Sequence, residues 1–199
     1  DNAKKFETAP TGAIVTGILT ASSDIKTTAN IYGAQGHFTD HIYIADTIVH
    51  TGDTNTKIRF PGTDTISLET AGSEALRVDS NQRLIIGHTA SIGEARKVQL
   101  IGTNADTSSI QLIRHSDDSG AAKLDLTKSR NTSKGSNTIV QDDDCLGDIA
   151  FRADDGTDFN TEGARISAFV DGTPGSNDMP GRLVFLTTAD GASSPTERL

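Results

Sequence analysis

The sequence has few of the residues on which disulfide-rich, membrane-spanning and nucleic-acid-binding proteins depend. It contains one cysteine, no tryptophan and two tyrosines in 199 residues. One cysteine allows no internal disulfide, which excludes a small disulfide-stapled secreted domain. No run of about 18 apolar residues occurs, so we expect no membrane insertion. The net charge of −9 disfavours nucleic acid and anionic membrane surfaces as partners, since binding to these requires basic patches.

Motifs of catalysis are also missing from the sequence. It has no GxSxG, no Gly-rich phosphate loop and no HExxH. Carboxylates are so plentiful that a glycosidase pair cannot be recognised by their presence, and the absence of tryptophan weighs against a deep sugar-stacking cleft. Cys145 follows 142-DDD-144, whose charge is expected to raise the thiol pKa and blunt its nucleophilicity. We expect no enzymatic activity and no cofactor.

What is present is a pattern of short strands and polar turns, which predicts an all-β fold. Alternation of apolar and polar residues predicts strands in a stretch from 51 to 96. The predicted strands are 57-KIRF-60, 65-TISLET-70, 74-EALRVD-79 and 83-RLIIG-87. Turns are expected at 61–64, 71–73 and 80–82. In this register Val78 and Leu84 face the core, and Arg77 and Arg83 do not.

The region from 97 to 199 carries six further strand candidates and longer polar intervals. These candidates are 98-VQLI-101, 109-SIQLIRH-115, 121-AAKLDLTK-128, 147-GDIAFRA-153, 163-GARISAFV-170 and 182-RLVFLTT-188. Their spacing favours an antiparallel sandwich or barrel. The polar interval 129–145 is long enough to suggest a functional loop.

The first fifty residues contain only short apolar segments, 13–21 and 42–50, interrupted by Gly17, Gly33, Gly36 and Asp46. Such segments are too short to form stable hairpins alone, which suggests a fibre-like region whose strands pair with neighbouring chains. The prediction is therefore a shaft over 1–50, a neck of β-repeats over 51–96 and a sandwich-like knob over 97–199.

One motif occurs twice, the second time only in part. In 196-TERL-199, Thr196, Glu197 and Leu199 match Ser73, Glu74 and Leu76 of 73-SEALRVDSNQRLIIG-87. The first residue is Asp1, and no apolar signal segment follows it. These features suggest a fragment of a longer repetitive chain.

The stretch 73-SEALRVDSNQRLIIG-87 resembles a repeat of the type "ERLRIDSSGNVGIG", found in tail fibres and virion proteins of phages of marine bacteria and cyanobacteria. The likeness extends over 49–79 and over 147–172, 182–191 and 196–199, which resemble the domain that precedes a C-terminal self-cleaving chaperone. Where this chain has Gln82, the family's turn usually has glycine, so Asn81 is expected to take the left-handed conformation.

The resemblance implies an interwoven homotrimer in the extracellular part of a virion, with contact to the host as its task. We expect adhesion to a bacterial surface glycan or another outer-membrane component through the loops 129–142, 154–162 and 171–181. The candidate contact residues are Asn131, Asn137, Asp155, Asp158, Asn160, Asn177 and Asp178. The alternatives are a structural spacer without receptor contact and, less favoured, a glycan hydrolase.

The sequence contains two possible metal sites, and the spacing of their ligands favours neither. His37 and His41 lie about 13 Å apart if the segment is extended, so only copies around a trimer axis could share a metal. The loop 154–162 alternates oxygen ligands, but it has neither the central glycine nor the flanking helices of a calcium-binding EF-hand. A solvated turn is therefore the simpler interpretation.

Overall fold

The computed structural model describes residues 6–9, 12–15 and 41–199, with side chains from residue 41 onward. The chain divides into two compact units, Asp1–Tyr43 and Ile44–Leu199. In the first, strands β1 (Phe6–Ala9) and β2 (Gly12–Val15) pair antiparallel. The prediction that 13–21 lacks a partner within its own chain is therefore wrong for the part in β2. His37, Gly17, Gly33 and Gly36 lie outside the described residues.

The second unit contains ten strands in two sheets. The first sheet comprises β3 (Thr47–His50), β4 (Asp53–Gly62), β5 (Thr65–Thr70), β6 (Ser73–Val78), β7 (Leu84–Ile86) and β8 (Val98–Leu100), in chain order. The second comprises β9 (Cys145–Ala153), β10 (Thr161–Val170), β11 (Gly181–Thr187) and β12 (Thr196–Glu197), in the order β12-β11-β10-β9. All neighbours are antiparallel except β7 and β8.

These elements confirm the all-β fold class. Every regular element among the described residues is a strand, so no helix there could cross a membrane. The hairpin of β3 and β4 spans the predicted boundary at residue 50, and β8 of the predicted knob belongs to the six-stranded sheet. The division into shaft, neck and knob stays a prediction.

Eight of the ten strands predicted between 57 and 188 are confirmed, and two are wrong. Residues 109–115 and 121–128 belong to no strand. Both have the alternating pattern, but neither has a backbone partner in the described part of the chain. Alternation predicts an extended conformation with one apolar face; a strand additionally requires a partner.

The turn between β6 and β7 differs from the prediction at one residue. Gln82, not Asn81, has the left-handed conformation, with φ of 59°. The carboxylate of Asp79 accepts hydrogen bonds from the backbone N–H groups of Asn81 and Arg83, at 2.9 and 3.0 Å. These bonds fix the turn with Gln82, an L-residue, in the left-handed position that glycine adopts at less cost.

The six-stranded sheet has one apolar face, and most of it is open in the single chain. Six aliphatic residues, one from each strand, are aligned in register: Ile48, Ile58, Leu68, Leu76, Ile86 and Leu100. A second row contains Ile66, Val78, Leu84 and Val98. Val78 is 40% exposed and Val98 61%. Val78 and Leu84 share one face of the sheet, opposite Arg77, as predicted. The prediction that this face is a core is wrong for Val78, which the described part of the single chain leaves exposed.

The opposite face of this sheet is polar but better buried. Ser67 and Ile85 are fully buried there, flanked in register by Arg59 and Arg77. Arg77 is neutralised by Glu74 at 2.5 Å, and its side chain is only 18% exposed. The prediction that the arginine side faces away from the buried face is therefore wrong in the single chain, because the long arginine stems lie beside the buried residues.

The four-stranded sheet repeats this arrangement. Its apolar face carries the aligned row Ile149, Ile166 and Phe185, and Ile149 and Phe185 are 47% and 44% exposed. On the other face, Ser167 and Val184 are buried. Both sheets of the single chain thus leave an apolar face in contact with solvent.

Candidate functional site

The strand directions decide which of the predicted contact loops lie together. The loop 154–160 joins β9 to β10, whereas 171–180 joins β10 to β11 and 129–144 leads into β9. Because these strands are antiparallel, the first loop lies at one end of the sheet and the other two lie at the opposite end. The nine residues of β9 separate the two ends by about 27 Å. The three loops therefore cannot form one binding surface.

The loops 129–144 and 171–180 are joined, with the end of β10, by hydrogen bonds that backbone N–H groups donate. The N–H of Gly172 donates to Oδ1 of Asp142 at 2.7 Å. The N–H of Asp143 donates to the carbonyl of Val170 at 3.1 Å, and the N–H of Val170 donates to the carbonyl of Asp144 at 2.9 Å. This end of the sheet is thus a defined surface made by two loops.

Two arginines fix the acidic triplet 142–144 at this end. Arg182 contacts Asp143 at 2.6 Å and Asp171 at 2.9 Å, and its guanidinium lies over the ring of Phe169. Arg130 donates two hydrogen bonds to the Asp144 carboxylate, at 2.6 and 2.8 Å. These bonds lower the pKa of Asp144 from 3.8 to about 2. The aspartates therefore tie the loops together, which goes beyond the expected role of a solvated turn.

A cavity of about 320 Å³ lies between the two loops. It is lined by Ile139, Val140, Gln141, Asp142, Thr173 and Pro174. Val140 is buried and Ile139 is 55% exposed, so part of the lining is apolar. Within the described part of the chain, the side-chain amide of Gln141 and the hydroxyl of Thr173 have no hydrogen-bond partner. Both groups are therefore available to a ligand with hydroxyl groups.

The predicted contact residues in these two loops are only partly available. Asn131 donates from Nδ2 to Oγ1 of Thr138 at 2.9 Å and accepts from the N–H of Ser133 at 2.8 Å, so its amide holds the loop. Asn137 is exposed. Asn177 and Asp178 are exposed in a tight turn, where Asn177 has φ of 57°.

The other three predicted contact residues lie at the opposite end, in 154–160. Oδ1 of Asp155 accepts from the N–H groups of Thr157 and Asp158, and its Oδ2 accepts from Oγ1 of Thr161 at 2.6 Å. The bond from Thr161 is the main reason that the pKa of Asp155 is lowered. Asp158 accepts from the N–H of Asn160 at 2.7 Å. The carboxylates thus serve their own turn, as in Asx turns.

Cys145 and His41, two other residues considered from the sequence, lie in the part of the chain that the structure describes. The pKa of the Cys145 thiol is raised, as predicted, but the first cause is burial and the second is a contact with Asp148 at 3.3 Å. The triplet 142–144 is not the cause. His41 stacks on Tyr43 with 6.1 Å between ring centroids. Among residues 41–199, no group of three metal-ligating side chains converges.

Sequence reasoning missed the residues that line the cavity and the arginines that hold the acidic triplet. Gln141 and Thr173 belong to no motif, and nothing in their neighbourhood distinguishes them from other polar loop residues. Arg130 and Arg182 lie 14 and 39 residues from the aspartates of the triplet that they contact, so no local pattern identifies these pairs.

Comparison with solved structures shows a likeness in fold. No family model matches the sequence, and no curated protein matches it. The chain is similar to a solved structure, the carboxy-terminal domain of the bacteriophage T5 L-shaped tail fibre. The TM-score is 0.58 and the identity 16%, over 93% of this chain and 86% of that one. At this identity the likeness shows a shared fold.

Proposed function

We propose that this chain is part of a phage tail fibre that assembles as a homotrimer and attaches the virion to the bacterial surface. The observation that carries the proposal is the likeness in fold to a tail-fibre domain over 93% of the chain. The resemblance of 73–87 to a tail-fibre repeat independently suggests the same class. The segments 147–172, 182–191 and 196–199 resemble the domain that precedes a C-terminal chaperone in such fibres. The chain would then be an extracellular component of the virion.

The open apolar faces support assembly. Ile48, Ile66, Ile149, Phe151 and Leu183 are 45–57% exposed. Completing the burial of a side chain that is half exposed contributes about 1 kcal/mol. About ten such side chains on the two faces would contribute roughly 10 kcal/mol per chain, which is comparable with the 4–15 kcal/mol that association costs. That the number of copies is three rests on the likeness to tail fibres.

Adhesion is best placed at the end of the four-stranded sheet that carries the cavity. The amide of Gln141 and the hydroxyl of Thr173 suit the hydroxyl groups of a neutral surface glycan, and the aspartates nearby disfavour an acidic one. A site without large aromatic residues should be weak, about −4 kcal/mol, which corresponds to a millimolar Kd. Three such sites on one rigid body would bind a cell surface through avidity.

A structural spacer is the second candidate function, and one observation favours it. Several of the predicted contact residues, Asn131, Asp155 and Asp158 among them, already bond to their own loops. A spacer and an adhesin differ only in whether the loops contact the host. Depolymerisation of a surface glycan by the purified chain would instead establish the third alternative, a hydrolase.

Substitution of the polar groups that line the cavity separates adhesin from spacer. Gln141 and Thr173 are both replaced with alanine, and the exposed Thr157 and Asn160 at the other end of the sheet are replaced likewise as the matched control. We expect the first variant to lose adsorption to susceptible cells and the control to keep it, with both chains assembled. Unchanged adsorption of the first variant would contradict adhesion by this end and favour the spacer.

A further inference from the structure

The segment 109–128 lies between the two sheets in sequence and belongs to neither. We call residues 109–115 the first arm and residues 121–128 the second arm. Between residues 109 and 128, no backbone group is hydrogen-bonded to another backbone group of the described chain. Backbone N–H and C=O groups in protein interiors are nearly always paired, so this segment either stays in water or finds its partners elsewhere.

The side chains of the arms have the pattern of strands. In the first arm, Ile110 and Leu112 are 79% and 55% exposed, and in the second arm Leu124 and Leu126 are 73% and 50% exposed. Residues two apart lie on the same face of an extended chain, so each arm has an apolar face. A loop that remained in water would have no reason to carry these aliphatic pairs in alternation with polar residues.

The turn between the arms is closed by its own side chains. Arg114 contacts the Asp118 carboxylate at 2.6 Å. The N–H of Gly120 donates to Oδ1 of Asp118 at 2.7 Å, and the N–H of Asp118 donates to Oγ of Ser116 at 3.3 Å. The segment thus has a formed turn between two arms that belong to no strand, and the backbone of the arms has no partner in the described part of the chain.

The contact between Leu126 and Gly147 explains why the second arm is not a strand of its own sheet. A Cβ atom at Gly147 would lie 2.7 Å from Cβ of Leu126. Since Cβ atoms point out of the faces of a sheet, Leu126 lies above the face of β9 and not beside its edge. The edge of β9 therefore remains open, because β9 is the last strand of the four-stranded sheet.

We infer that the arms 109–115 and 121–128 pair with the backbone of a second copy of this chain, as strands of an intermolecular sheet. Every copy carries the same open arms, the same open edge and the same open apolar faces, so a closed symmetric assembly satisfies all of them at once. A long open edge in a lone chain would favour aggregation. This inference rests on the proposed assembly, and it identifies 109–128 as the segment of each chain that pairs with another copy.

Hydrogen–deuterium exchange of the assembled protein tests the inference. We expect amides in peptides covering both arms to exchange about 100-fold or more slowly than those of 132–139, which serve as the exposed reference in the same sample. Peptides from β10, which is paired on both sides, provide the protected reference. Exchange of both arms at the rate of 132–139 in an assembled protein would overturn the inference and leave the proposed function intact.

Proline substitution provides a second measurement. Leu112→Pro and Leu124→Pro each remove a backbone donor from one arm, whereas Asp117→Pro changes the turn at a residue whose N–H makes no hydrogen bond. We expect the two arm variants to lose the assembled mass, measured by light scattering, and the turn variant to keep it. Assembly of both arm variants at the parental level would contradict the inference. A wild-type monomer with unprotected arms would contradict the proposed trimer as well.

Discussion

Replacing Gln82 with glycine should stabilise the protein, because Gln82 holds a conformation that suits glycine. Its φ is 59°, whereas Asn81 beside it has no positive φ. The left-handed conformation costs an L-residue about 1–2 kcal/mol, and glycine loses about 0.5–1 kcal/mol of additional chain entropy on folding. The difference predicts that Gln82→Gly stabilises by about 0.5–1 kcal/mol. The Asp79 carboxylate accepts from Asn81 and Arg83, and the Asp79 carbonyl accepts from the N–H of Gln82 at 2.8 Å. Glycine keeps this N–H, so the bonds that close the turn remain.

Asn81→Gly is the matched control, since it has the same entropy cost and relieves no strain. We expect it to destabilise by about 0.5–1 kcal/mol. Urea unfolding of both variants under identical conditions measures the two signs, and the midpoint of thermal unfolding should differ between them by several degrees. A destabilising Gln82→Gly, or equal effects of the two variants, would refute the assignment of strain to Gln82.

The structure leads to three further predictions, the first of them with a matched control. Gly87→Ala should cost several kcal/mol, because its Cβ would overlap a backbone carbonyl, whereas Gly135→Ala, at nearly the same φ but in open space, should cost about 1 kcal/mol; urea unfolding compares them. Arg130→Gln should lower stability at pH 6 and much less at pH 2. The ion pair depresses the pKa of Asp144 from 3.8 to about 2, so it contributes stability above about pH 4 that is lost as the pH falls through 2. Urea unfolding at both pH values checks this. Val78→Asp should reduce the assembled mass in light scattering by placing a carboxylate on the apolar face, and an unchanged mass would show that the face is not an interface.

The strands between 57 and 87 could be predicted because their information is local. Each strand between 57 and 87 alternates over four to six residues, and the turns between them are short, so the sequence determines which residues oppose each other. The alignment of Ile58 with Leu68 and Leu76 follows from this. The partial repeat at 196–199 has the same local structure as the first copy. Thr196 and Glu197 form a short strand, and the matching Ser73 and Glu74 begin β6.

The partners of the arms and the environment of the apolar faces could not be predicted from alternation. The pattern around Leu112 resembles that around Leu68, yet only the latter lies in a strand of its own chain. Val78 was expected in a core and is 40% exposed. In both cases the sequence specifies an apolar face, and what covers that face depends on residues far away in sequence or on another copy.

The candidate site was predicted at the level of loops and not of residues. The loops 129–142 and 171–181 do meet, which follows from the antiparallel order of β9, β10 and β11. Three of the seven polar residues named from composition, Asn131, Asp155 and Asp158, are occupied within their own loops, because short Asp and Asn side chains bond readily to nearby groups. Gln141 and Thr173, which remain available, carry no pattern that distinguishes them.

The mass of the purified chain in solution tests the central claim most directly. Sedimentation equilibrium or light scattering at micromolar concentration should give three times the chain mass of 20.9 kDa. That result would agree with an assembly that covers the open faces and pairs the arms. A stable species of 20.9 kDa across the micromolar range would contradict the account, because the apolar faces of both sheets would then remain in water.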